Sequence, residues 1–323
     1  MKQRILVAVV GVPALLAVLC AAPDWATLAL LMGLCIIASH ELLAAVLPPE
    51  KTRRWWGLAA TLAVFVVANV YFSHERFAGT AAAGLMPWLL AALVVVVFLC
   101  MVLEYGKKEE MDFTALCAIL VAGAAIPLAL SCLLRLRMLE HGAGLVLIPL
   151  VAAFMSDTMA LFGGMLFGKT KLAPVVSPKK TREGAVSGLV GGMAGMVLYR
   201  IIFFLCTEVP LHIGWCVLLG LVGAVLGQLG DLSFSCVKRQ YGIKDYGRLL
   251  PGHGGVLDRF DSVIFAAPVI WMIPAGRHRV YRTADAGRGA GAGTFRGGAD
   301  RQPAGGPAGA AGAAVQAAPC RAV

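Results

Sequence analysis

Eight long apolar blocks constrain this chain more than any other feature. They lie at about 5–22, 26–47, 56–73, 84–104, 113–134, 143–167, 185–206 and 212–235. Each can cross the ~30 Å hydrocarbon core of a bilayer, since a helix needs roughly 20 apolar residues to do so. A ninth apolar segment, 262–274, is short for a span. Because 59% of the residues are hydrophobic and only 14% are charged, the sequence predicts an all-α, polytopic integral membrane protein with about eight or nine transmembrane helices.

Lysine and arginine are concentrated in alternate loops. Seventeen lie on the side of the N-terminus, which also holds the loops 48–55, 105–112, 168–184 and 236–261, whereas three lie on the opposite side. Cytoplasmic loops are enriched in these residues, so the N-terminus and the long loops 168–184 and 236–261 are predicted to be cytoplasmic. No basic stripe with interleaved aromatic residues is present, so we expect no nucleic-acid partner.

Residues 275–323 differ in composition from the rest of the chain. They consist largely of Gly, Ala, Arg and Pro and contain no lysine. Such a segment cannot bury enough apolar surface to fold alone, so we expect a disordered tail after one membrane domain, 1–274. Within that domain we distinguish N-terminal helices, 1–134, from catalytic helices and loops, 143–262. GC-rich DNA read out of frame also yields such repetition, and we hypothesise that the tail is a frameshift product.

The apolar start after Lys2 and Arg4 is similar to a secretory signal, but a second block follows at once, so we expect a retained helix.

Residues 163–170, GGMLFGKT, fit the phosphate-loop pattern G-x-x-x-x-G-K-[ST]. That motif requires a strand before it and a helix after it. Here an apolar block precedes it, and Pro174 and Pro178 oppose a helix after it. We therefore expect a helix that ends at Gly168 and no phosphate loop. The basic run that follows favours either an anchor for anionic lipid heads or a fixed site for a phosphorylated ligand.

The end of the eighth block carries glycines and then charge. Gly220, Gly223, Gly227 and Gly230 share one helix face, which indicates close helix packing. Asp231 follows this face at the predicted cytoplasmic end, and Ser235 and Lys238 would share its side of the helix. A charged residue at such a position is a functional hypothesis.

The segment 235–262, SCVKRQYGIKDYGRLLPGHGGVLDRFDS, has the strongest functional signal. Carboxylates with water and phosphate oxygens form the hard-oxygen site that Mg²⁺ prefers, and Lys and Arg neutralise phosphate charge. Glycines beside His253 let a bulky ligand approach the backbone, although a lone histidine in a loop is also a common surface residue. The collection suits phosphoryl or nucleotidyl transfer at a membrane face. Its charged members are Lys238, Arg239, Lys244, Asp245, Arg248, His253, Asp258, Arg259 and Asp261.

The same segment resembles a family signature. The pattern Ser235-x-x-Lys238-Arg239, Lys244-Asp245 and Pro251-x-His253-Gly254-Gly255-x-x-Asp258-Arg259-x-Asp261 looks like that of the phosphatidate cytidylyltransferases, the CDP-diacylglycerol synthases. Residues 167–184 resemble the family stretch FGK-x-KLAP…SPKKT-x-EG, and the resemblance covers roughly residues 1–273. One departure is that the family commonly has Gly after an Asp-Thr pair in the sixth span, where this chain has Met159 after Asp157-Thr158.

The resemblance implies a reaction and a set of site residues. The family transfers CMP from CTP to phosphatidate, which gives CDP-diacylglycerol and pyrophosphate for phospholipid biosynthesis, and it suggests a bacterial inner membrane protein. It implies Mg²⁺ held by Asp231 and Asp258, with a second cation left open, and a catalytic Lys238. Substrate-binding roles fall on Ser177, Lys179, Lys180, Ser235, Arg239, Lys244, Asp245, His253, Arg259 and Asp261. A homodimer is expected from the family and from the glycine faces.

Three other interpretations stay open at this stage. A related CTP-using lipid enzyme, such as a polyprenol kinase or an ether-lipid CDP synthase, would use similar metal and phosphate chemistry. An ion-coupled transporter would also combine acids with glycine-interrupted helices, but here the charges gather at one face rather than at the midplane. An inactive structural homologue is a third possibility.

Overall fold

The chain folds almost entirely into helices. The computed structural model describes residues 2–249 and 254–273, with side chains from residue 9 onward; His253 and the tail predicted to be disordered lie outside these residues. The α-helices of the described chain are α1 (Lys2–Leu16), α2 (Asp24–Val46), α3 (Pro49–Phe72), α4 (Ala81–Glu104), α5 (Phe113–Leu120), α6 (Ile126–Arg137), α7 (Gly142–Leu145), α8 (Leu147–Phe167), α9 (Arg182–Thr207), α10 (Ile213–Gln240) and α11 (Leu257–Met272).

Seven helical segments within the described ranges are long and apolar enough to cross a membrane. Five of them are single helices, and two join neighbours: Phe113–Arg137 contains α5 and α6 with the π-helical turn Val121–Ala125 between them, and Gly142–Phe167 contains α7 and α8. The seven match the apolar blocks predicted from 26–47 to 212–235. The first block is an apolar helix of shorter length, Val9–Ala21, and the ninth segment is the 16-residue α11. Whether these two segments span stays a prediction.

Helix α11 joins two groups of packed helices. α2, α3, α5 and α6 surround one apolar core, in which Leu43, Leu62, Ile119 and Leu133 are at most 1% exposed. α8, α9 and α10 pack side by side. α11 contacts α10 and α8 of the second group and α6 and α2 of the first. The first turn of α11, which carries Asp258, therefore lies where the two groups meet.

The glycine face of α10 is used for packing inside the chain, as the sequence predicted. A Cβ on Gly220 would lie 2.5 Å from the carbonyl oxygen of Gly192 in α9, and one on Gly230 would lie 2.6 Å from that of Asp261 in α11. A Cβ on Gly223 would lie 2.6 Å from Ala152 in α8. Glycine is required at these positions because any side chain would separate the helix backbones. This face therefore packs within the chain, and the expectation of a homodimer loses its support from these glycines.

A β-hairpin interrupts the helical pattern and corrects the prediction of an all-α fold at this point. Strand β1 (Lys171–Ala173) pairs antiparallel with β2 (Ser177–Thr181), with Lys171 opposite Thr181. As predicted, α8 ends at Phe167 and no helix opens after GGMLFGKT. The strands were not predicted because Pro174 and Pro178, which do oppose a helix, also lower strand propensity. Pro174 lies in the turn between the strands. Pro178 lies in β2, which has a partner strand on one side only, so a proline without an N–H group is tolerated there.

Candidate active site

A cavity of about 580 Å³ lies where α8, the hairpin, α9, α10 and α11 meet. The two polar segments singled out from the sequence, 168–184 and 236–261, both contribute to it. Eight of the predicted site residues line this cavity, and Asp157 of α8 joins them. The charged lining residues are Asp157, Lys179, Lys180, Asp231, Lys238, Asp245, Asp258, Arg259 and Asp261. Opposite charges are thus gathered around one space, which suits a phosphate-bearing ligand with a cation.

Asp231 connects α10 to the hairpin. Its carboxylate forms an ion pair with the ammonium group of Lys180 in β2, and each side chain is 27% exposed. Ser235 lies one turn further along α10, and its hydroxyl donates to Oδ1 of Asp231 over 3.3 Å. The predicted common face of Asp231 and Ser235 is confirmed. A carboxylate and an ammonium group from segments about 50 residues apart are therefore in contact at the accessible part of the cavity.

Asp258 lies deeper and accepts three hydrogen bonds. The ammonium group of Lys238 donates to Oδ1 over 2.9 Å, and the backbone N–H groups of Tyr246 and Gly255 donate to Oδ2 over 2.8 and 3.0 Å. The side chains of Asp258 and Lys238 are 3% and 11% exposed. A carboxylate has about four lone-pair positions, so Asp258 keeps one on Oδ1. The loop after α10 is thus folded around this carboxylate.

Tyr246 is a site residue that the sequence-based analysis did not select. Its hydroxyl donates to the carbonyl oxygen of Phe234 over 3.0 Å, and the ammonium group of Lys238 lies 5.4 Å from the centre of its ring. Burial, and then the negative charges of Asp258 and Asp261, raise the pKa of the phenol, so it stays a neutral donor. The signal was weak because an aromatic residue in a loop has many ordinary roles. Its function here is to fix the backbone N–H that binds Asp258.

Two further acids, Asp157 and Asp261, line the cavity together with Asp231. The hydroxyl of Ser262 is 3.2 Å from Oδ2 of Asp157, and its N–H donates to Oδ1 of Asp261 over 2.7 Å. Asp157 was not predicted as a site residue because Met159, two residues later, departs from the family pattern. Its position inside an apolar block was the signal that could have identified it.

Part of the cavity wall is apolar. Leu161 and Met165 of α8 and Leu172 of β1 line it together with small residues, and Leu161 and Met165 are 61% and 64% exposed. Gln228 of α10 also lines the cavity, and its amide donates to the carbonyl oxygen of Ala185 over 3.0 Å. Polar chemistry and apolar surface therefore share one opening.

The backbone of the GGMLFGKT segment binds a carboxylate of the protein itself. The N–H groups of Lys169 and Thr170 donate to Glu183 in the first turn of α9 over 3.1 and 3.2 Å. Thr181 caps the same helix by accepting from the N–H of Gly184 over 3.1 Å. Glu183 and Thr181 thus fix both ends of the hairpin, and this positions Lys179 and Lys180 in the cavity wall.

Some predicted site residues are not part of the cavity lining. Arg239 donates to the backbone carbonyl oxygens of Val176 and Ile243 over 3.1 and 3.3 Å, so it ties the hairpin turn to the end of α10. Ser177 pairs with Ala173 in the hairpin. Lys244 is exposed in the loop that follows α10.

The fold and this constellation agree with a family match. Residues 2–275 match the family described as the cytidylyltransferase family. The chain belongs to this family. The matched range contains all seven candidate spans, the hairpin and every lining residue of the cavity, so the whole constellation lies within the family's part of the chain.

Individual relatives carry a more specific name. The chain is 35% identical over 216 residues to the phosphatidate cytidylyltransferase of Rickettsia prowazekii. The aligned region covers 64% of this chain and 92% of the relative. It is also 35% identical over 188 residues to the phosphatidate cytidylyltransferase of Bacillus subtilis, which covers 58% of this chain and 66% of the relative. The predicted family is therefore confirmed.

Proposed function

We propose that the protein transfers the cytidylyl group of CTP to phosphatidate and forms CDP-diacylglycerol. An oxygen of the lipid phosphate attacks the α-phosphorus of CTP, and a new P–O–P linkage forms. The bond between the α-phosphorus and the oxygen that bridges it to the β-phosphorus breaks, and pyrophosphate leaves with the electron pair. The lipid phosphate is already ionised near neutral pH, so the reaction needs positioning and charge neutralisation rather than a protein nucleophile.

The observation that carries this proposal is the single cavity in which phosphate-binding cations and carboxylates meet beside an apolar wall. Lys179, Lys180, Lys238 and Arg259 supply positive charge for the triphosphate and the lipid phosphate. The apolar wall of α8, with Leu161 and Met165, suits the glycerol and acyl part of phosphatidate. A nucleotide arriving from water and a lipid arriving from the bilayer could thus reach one space.

We further propose that the cavity takes Mg²⁺ through Asp231 and Asp258. Asp231 is partly exposed, and Asp258 keeps one lone-pair position on Oδ1. Within the described ranges no group of three or more His, Cys, Asp or Glu side chains is arranged to hold a metal. Two carboxylates suit Mg²⁺, which proteins commonly bind through one or two carboxylates together with substrate phosphates and water. When bound, the ion would neutralise charge on the phosphates. Asp157 and Asp261 also line the cavity, and we propose them as ligands for the second cation.

The proposed orientation places the N-terminus, the hairpin and the loop after α10 in the cytoplasm of a bacterial inner membrane. It rests on seventeen basic residues in the N-terminus and the loops 48–55, 105–112, 168–184 and 236–261, against three on the other side. CTP would then reach the cavity directly. The homodimer stays a prediction based on the resemblance alone.

The test uses the purified full chain in vesicles that contain phosphatidate, with Mg²⁺ and CTP. CTP labelled at the α-phosphorus should put the label into a lipid that runs as CDP-diacylglycerol, with release of one pyrophosphate per turnover. A folded sample that forms no labelled lipid and no pyrophosphate would contradict the proposal.

The same assay separates the alternative enzymes. A polyprenol kinase transfers the γ-phosphoryl group, so it would label lipid from γ-labelled CTP and leave CDP in solution. An ether-lipid CDP synthase would prefer a dialkyl glycerol phosphate to the diacyl substrate. Ion flux into vesicles without turnover of CTP would favour a transporter.

A further inference from the structure

Glu41 is a buried acid in α2 that has no part in the cavity lining described above. It is 5% exposed within an apolar helix. Its Oε1 accepts a hydrogen bond from the N–H of Val256 over 3.0 Å, and its Oε2 accepts one from the N–H of Leu257 over 2.8 Å. These groups begin α11, and Val256 at the cap position makes no side-chain hydrogen bond. Glu41 therefore caps α11 from more than 200 residues away, where a helix has unpaired N–H groups and favours negative charge.

Two glycines of the site loop pack directly against this carboxylate. A Cβ on Gly247 would lie 2.2 Å from Oε1 of Glu41, and a Cβ on Gly255 would lie 2.4 Å from the same atom. A side chain at either position would therefore displace the Glu41 carboxylate. The loop segments around Gly247 and Gly255 therefore enclose the Glu41 carboxylate from two sides.

The same two segments bind Asp258. Gly255 donates its N–H to Oδ2 of Asp258, and Tyr246, which precedes Gly247, donates its N–H to the same oxygen. Each backbone segment in contact with Glu41 thus also supplies a hydrogen bond to Asp258, so displacement of one carboxylate shifts the donors of the other.

We propose that Glu41 is a positioning residue for the cytidylyl-transfer site. Its carboxylate holds the start of α11 and the two loop segments in register, and these fix Asp258 in the cavity. It acts through the backbone of residues 246–247 and 255–257 and touches no substrate. The inference rests on the proposed function, but the position of the loop can be measured without turnover.

The test compares Glu41→Gln with Glu41→Asp in the full chain. Gln has nearly the same shape, but its NH₂ group faces one of the two N–H donors, so one hydrogen bond and the negative charge are lost. We expect kcat and the apparent affinity for Mg²⁺ to fall about 10–100-fold, as is typical when the support of a metal ligand is removed, with KM for phosphatidate unchanged. Glu41→Asp retains the charge and should recover part of the activity. The control is Ser39→Ala, because Ser39 is buried in the same helix and its hydroxyl donates to the carbonyl oxygen of Ile36 in that helix; it should leave kcat unchanged.

Hydrogen–deuterium exchange without substrate provides the second readout. The amides of Val256 and Leu257 should exchange faster in Glu41→Gln than in the wild-type chain or in Ser39→Ala. Wild-type protein that makes no CDP-diacylglycerol would contradict the proposed function, and the exchange result would still decide the role of Glu41. Unchanged exchange, or lower stability with unchanged kcat and Mg²⁺ requirement, would overturn the inference. If Glu41→Gln is not recovered folded, Gly247→Ala, which pushes the carboxylate away, must lower kcat in the same way, and normal kcat there would also overturn it.

Discussion

At the scale of single residues, Asp258 has the most demanding environment in the site. In Asp258→Asn the amide NH₂ would face either the Lys238 ammonium or the two backbone N–H groups that now donate hydrogen bonds to Asp258. Lys238 would also stay buried without its counter-charge. We expect turnover in the folded protein to fall at least about 100-fold and the free energy of unfolding to fall by about 3–5 kcal/mol, measured by CDP-diacylglycerol formation and thermal unfolding.

The matched control is Asp112→Asn. Asp112 also pairs with a lysine, Lys51 over 2.7 Å, and caps α5 through the N–H of Ala115, but it lies outside the cavity lining. Its loss should cost about 1 kcal/mol of stability and leave turnover unchanged. Near wild-type turnover of Asp258→Asn would contradict the assignment of this carboxylate to the site.

Lys180 tests whether the basic hairpin is a phosphate site or a lipid anchor. Lys180 lines the cavity, whereas Lys171 is exposed in β1 of the same hairpin. One charge-assisted hydrogen bond contributes about 1.5–3 kcal/mol, so Lys180→Met should raise KM for CTP roughly 10–100-fold. Lys171→Met should change it little. Equal effects of the two substitutions on steady-state kinetics would instead favour a diffuse anchor for anionic lipid heads.

At the scale of elements, helix contacts rather than propensities set the geometry of the site. A Cβ on Gly220 would lie 2.5 Å from the Gly192 carbonyl oxygen of α9, whereas a Cβ on Gly33 of α2 would meet nothing within 4 Å. Gly220→Ala should therefore lower the free energy of unfolding by about 1–3 kcal/mol, and Gly33→Ala should be neutral or raise it by up to about 1 kcal/mol. Thermal unfolding of both variants in the same detergent measures this. Equal melting temperatures would show that α9 and α10 are not in backbone contact.

At the scale of the whole molecule, the sequence predicted what depends on runs of residues and missed what depends on long-range contact. Apolar length identified the seven candidate spans, and glycine spacing identified the packed face of α10. Lys180 and Asp231 were assigned to one site only because both segments resembled one family, and their ion pair was not predicted. No sequence pattern places Glu41, in the second apolar block, at the start of α11, because its partners are backbone N–H groups more than 200 residues away. The hairpin was missed because its prolines argue against a helix and a strand alike.

The arrangement of the loops across the membrane gives a prediction that does not depend on the first and ninth segments. Lys108 and Lys171 are separated by two spans, Phe113–Arg137 and Gly142–Phe167, and Glu140 lies between those spans. A helix of 25 residues is about 38 Å long, enough to cross the bilayer core, so Lys108 and Lys171 must share one side and Glu140 must lie on the other.

Cysteines introduced by Lys108→Cys and Lys171→Cys should react with an impermeant maleimide only in inverted vesicles, and Glu140→Cys should react only in intact spheroplasts, with the unsubstituted chain as the control for its own cysteines. Labelling of positions 171 and 140 from the same side would show that the segment between them, Gly142–Phe167, does not cross the membrane. Labelling of position 171 from outside would reverse the charge-based orientation and place the cavity away from CTP.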